Sequence, residues 1–203
     1  MKIVIATRNR EKFEQIKAIY RQVPITLIPL YTCDVPLLEN PGLSFVEKAL
    51  AKARHAAKHT GLPSIADDTG LVIDALGGAP GIHSSHYARK GASALENQEK
   101  VLKALAPLPE EDCTARFYSA IVFVLHAQDP IPIICQAEWE GRILKHPAGP
   151  STAGYDAIFY LPDQGCTIAE LSEENRNALS PRARALRKLA TYLPHLDTPP
   201  PPV

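Results

Sequence analysis

Two adjacent carboxylates, Asp67 and Asp68, stand in the middle of the apolar stretch Ser64–Asp74 (SIADDTGLVID). The apolar residues on either side predict two short strands, Ser64–Ala66 and Leu71–Ile73, joined by a turn that holds both carboxylates. Because adjacent side chains on a strand point to opposite faces, only one of the pair can face a given pocket. Carboxylate oxygens there suit a hard cation such as Mg²⁺ that is shared with substrate phosphates. Asp and Gly are also ordinary turn residues, so the pair alone leaves metal chemistry and a plain Asx turn equally open.

A second group of polar residues follows the first predicted strand, Lys2–Ala6. Thr7, Asn9 and Lys12 stand at the start of a helix that the apolar spacing predicts from Glu11 to about residue 21. A helix start presents unpaired backbone N–H groups and a positive dipole end, which favour a bound anion. The glycines of a phosphate-binding P-loop are missing, so a helix start with exposed polar residues is the alternative interpretation.

A third candidate lies on a helix predicted to begin after Ser44, which opens a capping-box pattern, and to run to about His59. Lys48, Lys52, His55 and His59 share one face of this helix, and the opposite face is apolar. Like charges four residues apart cost about 0.2–0.5 kcal/mol, so a nearby anion would favour keeping both lysines. A solvated face is the usual explanation of such a run, and we favour it for the two histidines.

The rest of the chain alternates predicted strands and helices. They are a strand at Ile25–Leu30, a helix at Ala92–Leu105, strands at Thr114–Ala127 and Ile131–Leu144 joined by a hairpin turn, a short strand at Ala157–Leu161, and a helix from the N-cap Ser180 to about Leu193. Alternating strands and helices with one long hairpin predict a mixed α/β sheet.

Composition narrows the class of protein. The 203 residues suffice for one large domain or two small lobes, and the formal net charge of zero argues against a sequence-independent nucleic-acid binder. No apolar run approaches the ~20 residues of a membrane helix, and no signal peptide is visible. The four cysteines are widely spaced, as free thiols in a reducing compartment would be. We therefore expect a soluble cytoplasmic protein with one domain at residues 1–197 and a disordered Pro-rich tail at 198–203.

Five further motifs flank the two carboxylates along the chain. They read Ala6-Thr-Arg-Asn-Arg-Glu-Lys12, Ser44-Phe-Val-Glu-Lys-Ala49, Gly77-Gly-Ala-Pro-Gly81, Ala148-Gly-Pro150 leading into Gly154-Tyr-Asp156, and Ser180-Pro-Arg-Ala183. In this order and spacing, from about Lys2 to Leu193, the chain resembles the Ham1/inosine-triphosphatase family, and its bacterial branch most closely. Members of that family are house-cleaning pyrophosphatases for noncanonical purine nucleotides.

The resemblance implies an elongated two-lobed α/β fold, with a central mixed sheet flanked by helices and the nucleotide in the cleft between the lobes. It implies a homodimer with Mg²⁺ as cofactor and a nucleoside triphosphate as substrate, and no nucleic-acid or membrane partner. The implied reaction is hydrolysis of inosine, deoxyinosine or xanthosine triphosphate to the nucleoside monophosphate and pyrophosphate.

The resemblance also assigns roles to residues. Asp68 matches the family's general base and a metal ligand. A second ligand, a Glu before the second helix, corresponds to Glu39 or, in ungapped register, to Asn40. The positions that match substrate contacts are Thr7, Arg8, Asn9, Arg10, Glu11, Lys12, Lys52, Thr69, Ala153, Gly154, Tyr155, Asp156, Arg176, Pro181 and Arg182.

Several of these positions depart from the family pattern. Ala153 replaces an aromatic ring expected to stack on the base, a contact worth about 1–3 kcal/mol. Arg176 replaces a lysine, and Pro181 replaces a histidine next to the retained Arg182. Arg8 stands where relatives often have glycine, which adds positive charge beside the expected phosphates. These changes leave open a shifted or relaxed base preference, or a nucleotide-binding protein without turnover; the intact carboxylate pair weighs against the last.

Overall fold

The structure is a computed structural model that describes residues 1–39, 42–150 and 153–193. Its seven-stranded sheet has the order β2-β1-β3-β4-β5-β6-β7. The strands are β1 Lys2–Ile5, β2 Thr26–Pro29, β3 Ser64–Ile73, β4 Thr114–Val124, β5 Ile133–Ile143, β6 Phe159–Leu161 and β7 Cys166–Thr167. Strand β1 is parallel to β2 and β3, whereas β6 is antiparallel to β5 and β7. The predicted mixed α/β sheet is confirmed.

The α-helices in the described part of the chain are α1 Arg10–Ile19, α2 Phe45–Thr60, α3 Ala94–Leu105, α4 Glu173–Leu179 and α5 Pro181–Ala190. The sequence patterns predicted all of them except α4, with ends that differ by a few residues. Single turns of 3-10 helix, such as Leu30–Thr32 and Ile168–Glu170, occur between these elements.

Helix α2 shows how local sequence fixes an element that carries site residues. The Ser44 hydroxyl accepts a hydrogen bond from the Glu47 amide at 3.2 Å, and the Glu47 carboxylate accepts one from the Ser44 amide at 2.8 Å. The predicted capping box is therefore formed. Gly61 ends the helix in the left-handed conformation (φ +67°), which glycine adopts without strain. Both ends of the lysine-bearing helix are thus defined by sequence.

The predicted break in β3 is wrong. Residues Ser64–Ile73 form one continuous strand, so Asp67 and Asp68 lie in mid-strand and not in a turn. The strand lies between β1 and β4 in the sheet, with Ile5 of β1 beside Ile65. Pairing within a sheet overrides the weak strand preference of Asp and Gly. The alternative of an Asx turn between two strands is excluded by the same observation.

The chain forms two compact units. The first comprises residues 1–68, 119–137 and 182 onward, and the second comprises residues 69–118 and 138–181. The core of the first unit joins strand residues such as Ile3 and Phe123 to Ile16 of α1 and Leu186 of α5. The core of the second unit contains Leu71, Val101, Tyr155, Phe159 and Ile168, among others. Helices α1, α2 and α5 belong to the first unit, and α3 and α4 to the second.

The predicted Pro-rich tail and the absence of a membrane helix were the remaining expectations from sequence. The predicted tail at residues 198–203 lies outside the described residues. Within the described ranges, no helix is long and apolar enough to cross a membrane.

Candidate functional site

The two carboxylates of β3 contact different cations, as expected for neighbours on a strand. Asp67 has a side chain that is 2% exposed, and its Oδ2 accepts from Lys12 Nζ at 3.0 Å and from Arg182 Nε at 3.1 Å. Asp68 Oδ1 pairs with Lys52 Nζ, and its Oδ2 lies 3.8 Å from Lys48 Nζ. Helices α1, α2 and α5 therefore bring positive charge to the middle of one strand.

The start of α1 is organised by the polar residues that the sequence singled out. Asn9 is the N-cap, and its Oδ1 accepts from the Lys12 amide at 3.1 Å. The Asn9 amide in turn donates to Thr7 Oγ1 at 3.2 Å. This cap fixes the first turn of the helix, so that Lys12 leaves it towards Asp67.

A cavity of about 280 Å³ adjoins these residues within the first unit. Its charged lining side chains are Arg8, Lys12, Lys52 and Asp67, so cations outnumber carboxylates at its wall. The other lining residues are Ala6, Thr7, Leu30, Pro36, Leu38, His55 and Ala56. The excess of cations in this partly apolar wall, next to the start of α1, favours an anionic group in the cavity.

Two side chains that line the cavity hold the backbone at residues 35 and 36. Arg8 Nη2 donates to the Val35 carbonyl, and His55 Nε2 donates to the Pro36 carbonyl at 2.9 Å. Of the two histidines expected on a solvated face, His59 is exposed, whereas His55 is half-buried, lines the cavity and bonds the Pro36 backbone. Arg8 does line the cavity, but its guanidinium is engaged with the backbone in this structure.

Charge and burial compete at this cluster. Burial opposes ionisation of Asp67, but the nearby charges of Lys12 and Arg182 outweigh it and hold the pKa of that carboxyl below its usual 3.8. Burial lowers the pKa of Lys12 from its usual 10.5, and Asp67 counteracts this. The pKa of Lys48 is lowered as well, again chiefly by burial. Cations held in such surroundings gain from a further anion, which compensates the lost hydration.

A second cluster lies within the second unit, around the segment that begins at Ala153. Ala153 and Gly154 are exposed, whereas Tyr155 is buried and donates from its hydroxyl to the Ser84 carbonyl at 2.8 Å. Gln98 of α3, itself buried, donates from Nε2 to the Gly154 carbonyl at 2.8 Å. These two bonds fix the backbone of the segment and leave the Ala153 side chain at the surface.

Asp156 and Arg176 form the ion pair of this second cluster. Arg176 Nη1 lies 3.6 Å from Asp156 Oδ2, and the two side chains are 34% and 16% exposed, respectively. Burial raises the pKa of Asp156 to about 6, and Arg176 opposes this shift only in part. A single cation at this distance does not compensate the lost hydration of the carboxylate.

Two other predicted substrate contacts make local contacts on α1. The Arg10 guanidinium lies over the Tyr31 ring, 5.2 Å from its centroid. Glu11 Oε1 accepts from Gln15 Nε2 at 3.5 Å, a pair one helical turn apart. Both residues are exposed, and the structure does not bring their charged groups to Asp67 or Asp68 in any contact that we observe.

The remaining predicted site residues differ in burial. Thr69 follows Asp68 in β3 and is half-buried, and Pro181 is buried at the first position of α5. Glu39 is exposed, and the alternative metal ligand Asn40 lies outside the described residues.

Three contacts at the clusters were not predicted from the sequence. Gln15 Oε1 accepts from Arg182 Nη1 at 3.0 Å, Lys48 faces Asp68, and Gln98 holds Gly154. The position of Gln15 carried a signal, because it lies three residues after Lys12 and therefore on the same face of α1. The role of Gln98 depends on a partner 56 residues away and had no local signal.

The donor set around β3 fits a metal that is shared with a substrate. In the described part of the chain, no three His, Cys, Asp or Glu side chains are arranged to hold a metal ion. Mg²⁺ is usually held by one or two carboxylates, with waters and substrate phosphates completing its shell. Asp68 is a carboxylate of this kind, and most of the shell would have to come from waters and the substrate.

Comparison with known proteins gives a consistent result along nearly the whole chain. The model of the Ham1 family matches residues 3–192. A dITP/XTP pyrophosphatase from Thioalkalivibrio sulfidiphilus is 47% identical over 193 residues, which cover 95% of this chain and 98% of the relative. A protein of the same name from Shigella flexneri is 43% identical over 192 residues, with the same coverage.

Solved structures agree. A HAM1 protein from Coxiella burnetii superposes with a TM-score of 0.91 at 44% identity, covering 96% of this chain and 99% of the other. The Ham1 protein of Staphylococcus aureus gives 0.87 at 32% identity, covering 97% and 100%.

Proposed function

This chain belongs to the Ham1 family, and on that premise we propose that it is a nucleoside-triphosphate pyrophosphatase. Its substrates are noncanonical purine nucleoside triphosphates, dITP, XTP and ITP, and its products are the nucleoside monophosphate and pyrophosphate. The observation that carries the proposal is the convergence of Lys12, Lys52, Lys48 and Arg182 on the paired carboxylates of β3. The names of the relatives, dITP/XTP pyrophosphatases, support the same reaction and substrates.

A triphosphate suits this cluster because of its charge. The four cations exceed the two carboxylates, and a polyphosphate brings the compensating negative charge. Phosphoryl transfer needs little covalent chemistry from the protein beyond positioning and charge neutralisation. Lys12 and Lys52 line the cavity and are the groups that we expect to contact phosphate oxygens. Thr7, Arg8 and Asn9 complete the helix start beside them.

We assign Asp68 the role of orienting and deprotonating the water that attacks the substrate. Its carboxylate accepts from Lys52 and faces Lys48 in the free protein. Phosphate oxygens compete for these lysines when substrate binds, which leaves a carboxylate oxygen to orient a water and accept its proton. The water oxygen bonds the α-phosphorus, the bond to the bridging oxygen breaks, and pyrophosphate leaves with the electron pair.

Mg²⁺ is the cofactor that we propose. Asp68 and Glu39 are the residues that would hold it, each through a carboxylate oxygen. When bound, it supplies positive charge that neutralises phosphate oxygens and draws electron density towards the leaving group.

Base recognition is assigned to the second cluster and to the start of α5. The residues to which we assign base recognition are Ala153–Asp156, Arg176, Pro181 and Arg182. Its sparse contacts favour a variant of the function, namely weaker discrimination between bases than is usual for the family. The specific observation is Ala153, whose exposed methyl offers no ring to stack on a purine.

We propose that the protein is a cytoplasmic homodimer. A homodimer follows from the family resemblance alone, and sedimentation velocity at micromolar concentration measures it directly. A cytoplasmic location is consistent with four free cysteines, none of which is paired in the structure.

One assay tests the proposal. Pyrophosphate release is measured from ITP, dITP, XTP, dATP, dGTP and dCTP, each with and without Mg²⁺. We expect release from the first three, dependent on Mg²⁺, with one pyrophosphate per monophosphate. Release of orthophosphate, or tight binding of ITP without turnover, would contradict the proposal and favour a different hydrolase or a binding protein.

A further inference from the structure

Asp67 has an arrangement that the proposed reaction does not use. One of its oxygens, Oδ2, accepts from Lys12 of α1 at 3.0 Å and from Arg182 of α5 at 3.1 Å. Arg182 is held a second time, because its Nη1 donates to Gln15 Oε1 at 3.0 Å. Gln15 is on the same helix as Lys12, so α1, β3 and α5 are joined through a closed set of polar contacts.

We propose that Asp67 is a positioning residue that fixes the Lys12 ammonium and the Arg182 guanidinium as a pair. The inference rests on the proposed function, in which Lys12 contacts phosphate and Arg182 the base. Under it, the two adjacent carboxylates divide the work: Asp68 acts on water and metal, and Asp67 acts only through its two cations.

Asp67 and Asp68 differ in the exposure of their side chains and in how their cations are arranged. Its side chain is 2% exposed, against 10% for Asp68, and the same oxygen carries both cations. A charge-assisted hydrogen bond contributes more than a neutral one, and two of them on one buried oxygen fix the approach of both donors. Lys12, by contrast, has a side chain that is 30% exposed and reaches the cavity wall. Asp67 therefore offers little surface to the cavity that it lines, while Lys12 remains available to a ligand.

The mobility of a lysine explains why such an anchor matters. Lys12 ends in a compact charge on a flexible four-carbon stem, so its position in the free protein depends on a fixed partner. A pre-positioned cation loses less conformational freedom on binding an anion. Arg182, fixed at Nε and Nη1, presents its guanidinium in one orientation.

If Asp67 acted only through its charge, its removal would change the affinity for anions in the opposite direction, so the inference can be tested. Removing a negative charge near a polyanion site strengthens anion binding if only Coulomb attraction matters. Removing an anchor weakens binding, because Lys12 then loses its fixed position. The affinity for a polyphosphate without a base therefore distinguishes the two explanations, and inorganic tripolyphosphate is a suitable probe.

The experiment compares Asp67→Asn, Gln15→Leu and the control Glu14→Gln with the unmodified protein. Glu14 is an exposed carboxylate on the same helix, paired with Lys17 at 3.6 Å. Calorimetric titration measures tripolyphosphate binding, and steady-state assays with ITP give kcat, KM and the half-saturating Mg²⁺ concentration. We expect Asp67→Asn to weaken tripolyphosphate binding and raise KM at least about tenfold, with the Mg²⁺ dependence unchanged. We expect Gln15→Leu to weaken tripolyphosphate binding and raise KM about threefold. Glu14→Gln should leave tripolyphosphate binding and KM unchanged.

Three results would overturn the inference: tighter tripolyphosphate binding by Asp67→Asn, unchanged binding, or a tenfold shift in half-saturating Mg²⁺ with KM unaffected. The melting temperature of each variant shows whether it folds. If Asp67→Asn does not fold, unchanged tripolyphosphate affinity and KM in Gln15→Leu would overturn the inference. Failure of the proposed function is separate, because a protein that hydrolyses no nucleoside triphosphate still reports on the anchor through tripolyphosphate.

Discussion

Asp67 and Asp156 are both shielded from solvent, and their surroundings shift their pKa values in opposite directions. Burial disfavours the charged form of each. Asp67 has cations at 3.0 and 3.1 Å, which more than compensate, so its pKa is lowered. Asp156 has one arginine at 3.6 Å, and its pKa is raised to about 6. The number and distance of cations decide the outcome.

The two regions around these residues differ in the same way. Around β3, four cations and two carboxylates form an interlocked set from three helices. Around Ala153, the side-chain contacts include one ion pair and two hydrogen bonds to backbone carbonyls, and backbone hydrogen bonds join Asp156 to Ala153 and Ala169. Under the proposed function, the first region neutralises phosphate charge and the second contacts the base. Substitutions should therefore affect turnover strongly in the first region and selectivity in the second.

The largest effect is expected from Asp68→Asn. A neutral amide neither accepts a proton from water nor binds a cation strongly, so kcat should fall by about 10²- to 10⁴-fold. Thermal unfolding should show an intact fold. The matched control is Asp163→Asn, an exposed carboxylate elsewhere on the surface. Turnover within a few-fold of the parent protein would show that Asp68 is not the catalytic base.

Removal of one cation from the dense region should have the next largest effect. Lys52 bonds Asp68 and donates to the Asp67 carbonyl at 3.2 Å. We expect Lys52→Met to lower kcat/KM by about 10²-fold, because a donor to the phosphates is lost. Lys58→Met removes an exposed lysine of the same helix and should leave kcat/KM unchanged. Equal effects of the two substitutions would mean that α2 contributes only general positive charge.

Adding groups to the sparse region should sharpen selectivity. Ala153→Phe restores a ring, and Pro181→His restores an imidazole. Each base contact is worth about 1–3 kcal/mol, so the ratio of kcat/KM for ITP over ATP should rise about 5- to 150-fold. Ala153→Leu adds bulk without a ring and serves as the control. Because Pro181 is buried, melting temperatures must accompany the double variant. An unchanged ratio would show that the protein reads the base by other groups.

The smallest effect concerns the pH dependence of stability. Since folding raises the pKa of Asp156 from 3.8 to about 6, the folded state holds a proton that the unfolded chain has released between these values. Stability should therefore fall as pH rises through this window. Asp156→Asn removes this cost, so the variant should be more stable by about 3 kcal/mol at pH 7, and the difference should vanish near pH 3.

Denaturant unfolding at several pH values measures this difference. The contribution of Asp67 does not interfere, because its lowered pKa gives stability that is present above pH 3.8 and lost only below it. A difference between the variant and its parent that does not vary with pH would refute the shift at Asp156.

The elements with strong local signals were predictable from sequence. The capping box at Ser44 and the glycine at 61 determine both ends of α2 through bonds within four residues. The predicted break in β3 failed because the turn preference of Asp and Gly is local, whereas β1 and β4 pair with the strand from both sides. Helix α4 was missed although Ser172 caps it through the Asn175 amide at 3.2 Å. It has seven residues, too few for a clear apolar period.

The contacts among the candidate site residues were only partly predictable from sequence. The strand alternation correctly separated the partners of Asp67 and Asp68, because it depends only on backbone geometry. The pairing of Asp67 with Arg182 spans 115 residues, and no local pattern encodes a contact of that length. Arg8 looked like a phosphate ligand, but the structure shows it bonded to the Val35 carbonyl. A charge near a predicted site does not reveal which acceptor it will reach.

The way in which Arg8 and His55 hold the cavity wall has a consequence for mutational tolerance. Both bind main-chain carbonyls, of Val35 and Pro36, at sequence separations of 27 and 19 residues. A carbonyl is present in every amino acid, so replacing either wall residue leaves the acceptor in place. Replacing Arg8 or His55 removes the donor itself. The exposed Pro36 can therefore be substituted while the hydrogen bond to its carbonyl is preserved, and the side chain that makes this bond lies elsewhere in the chain.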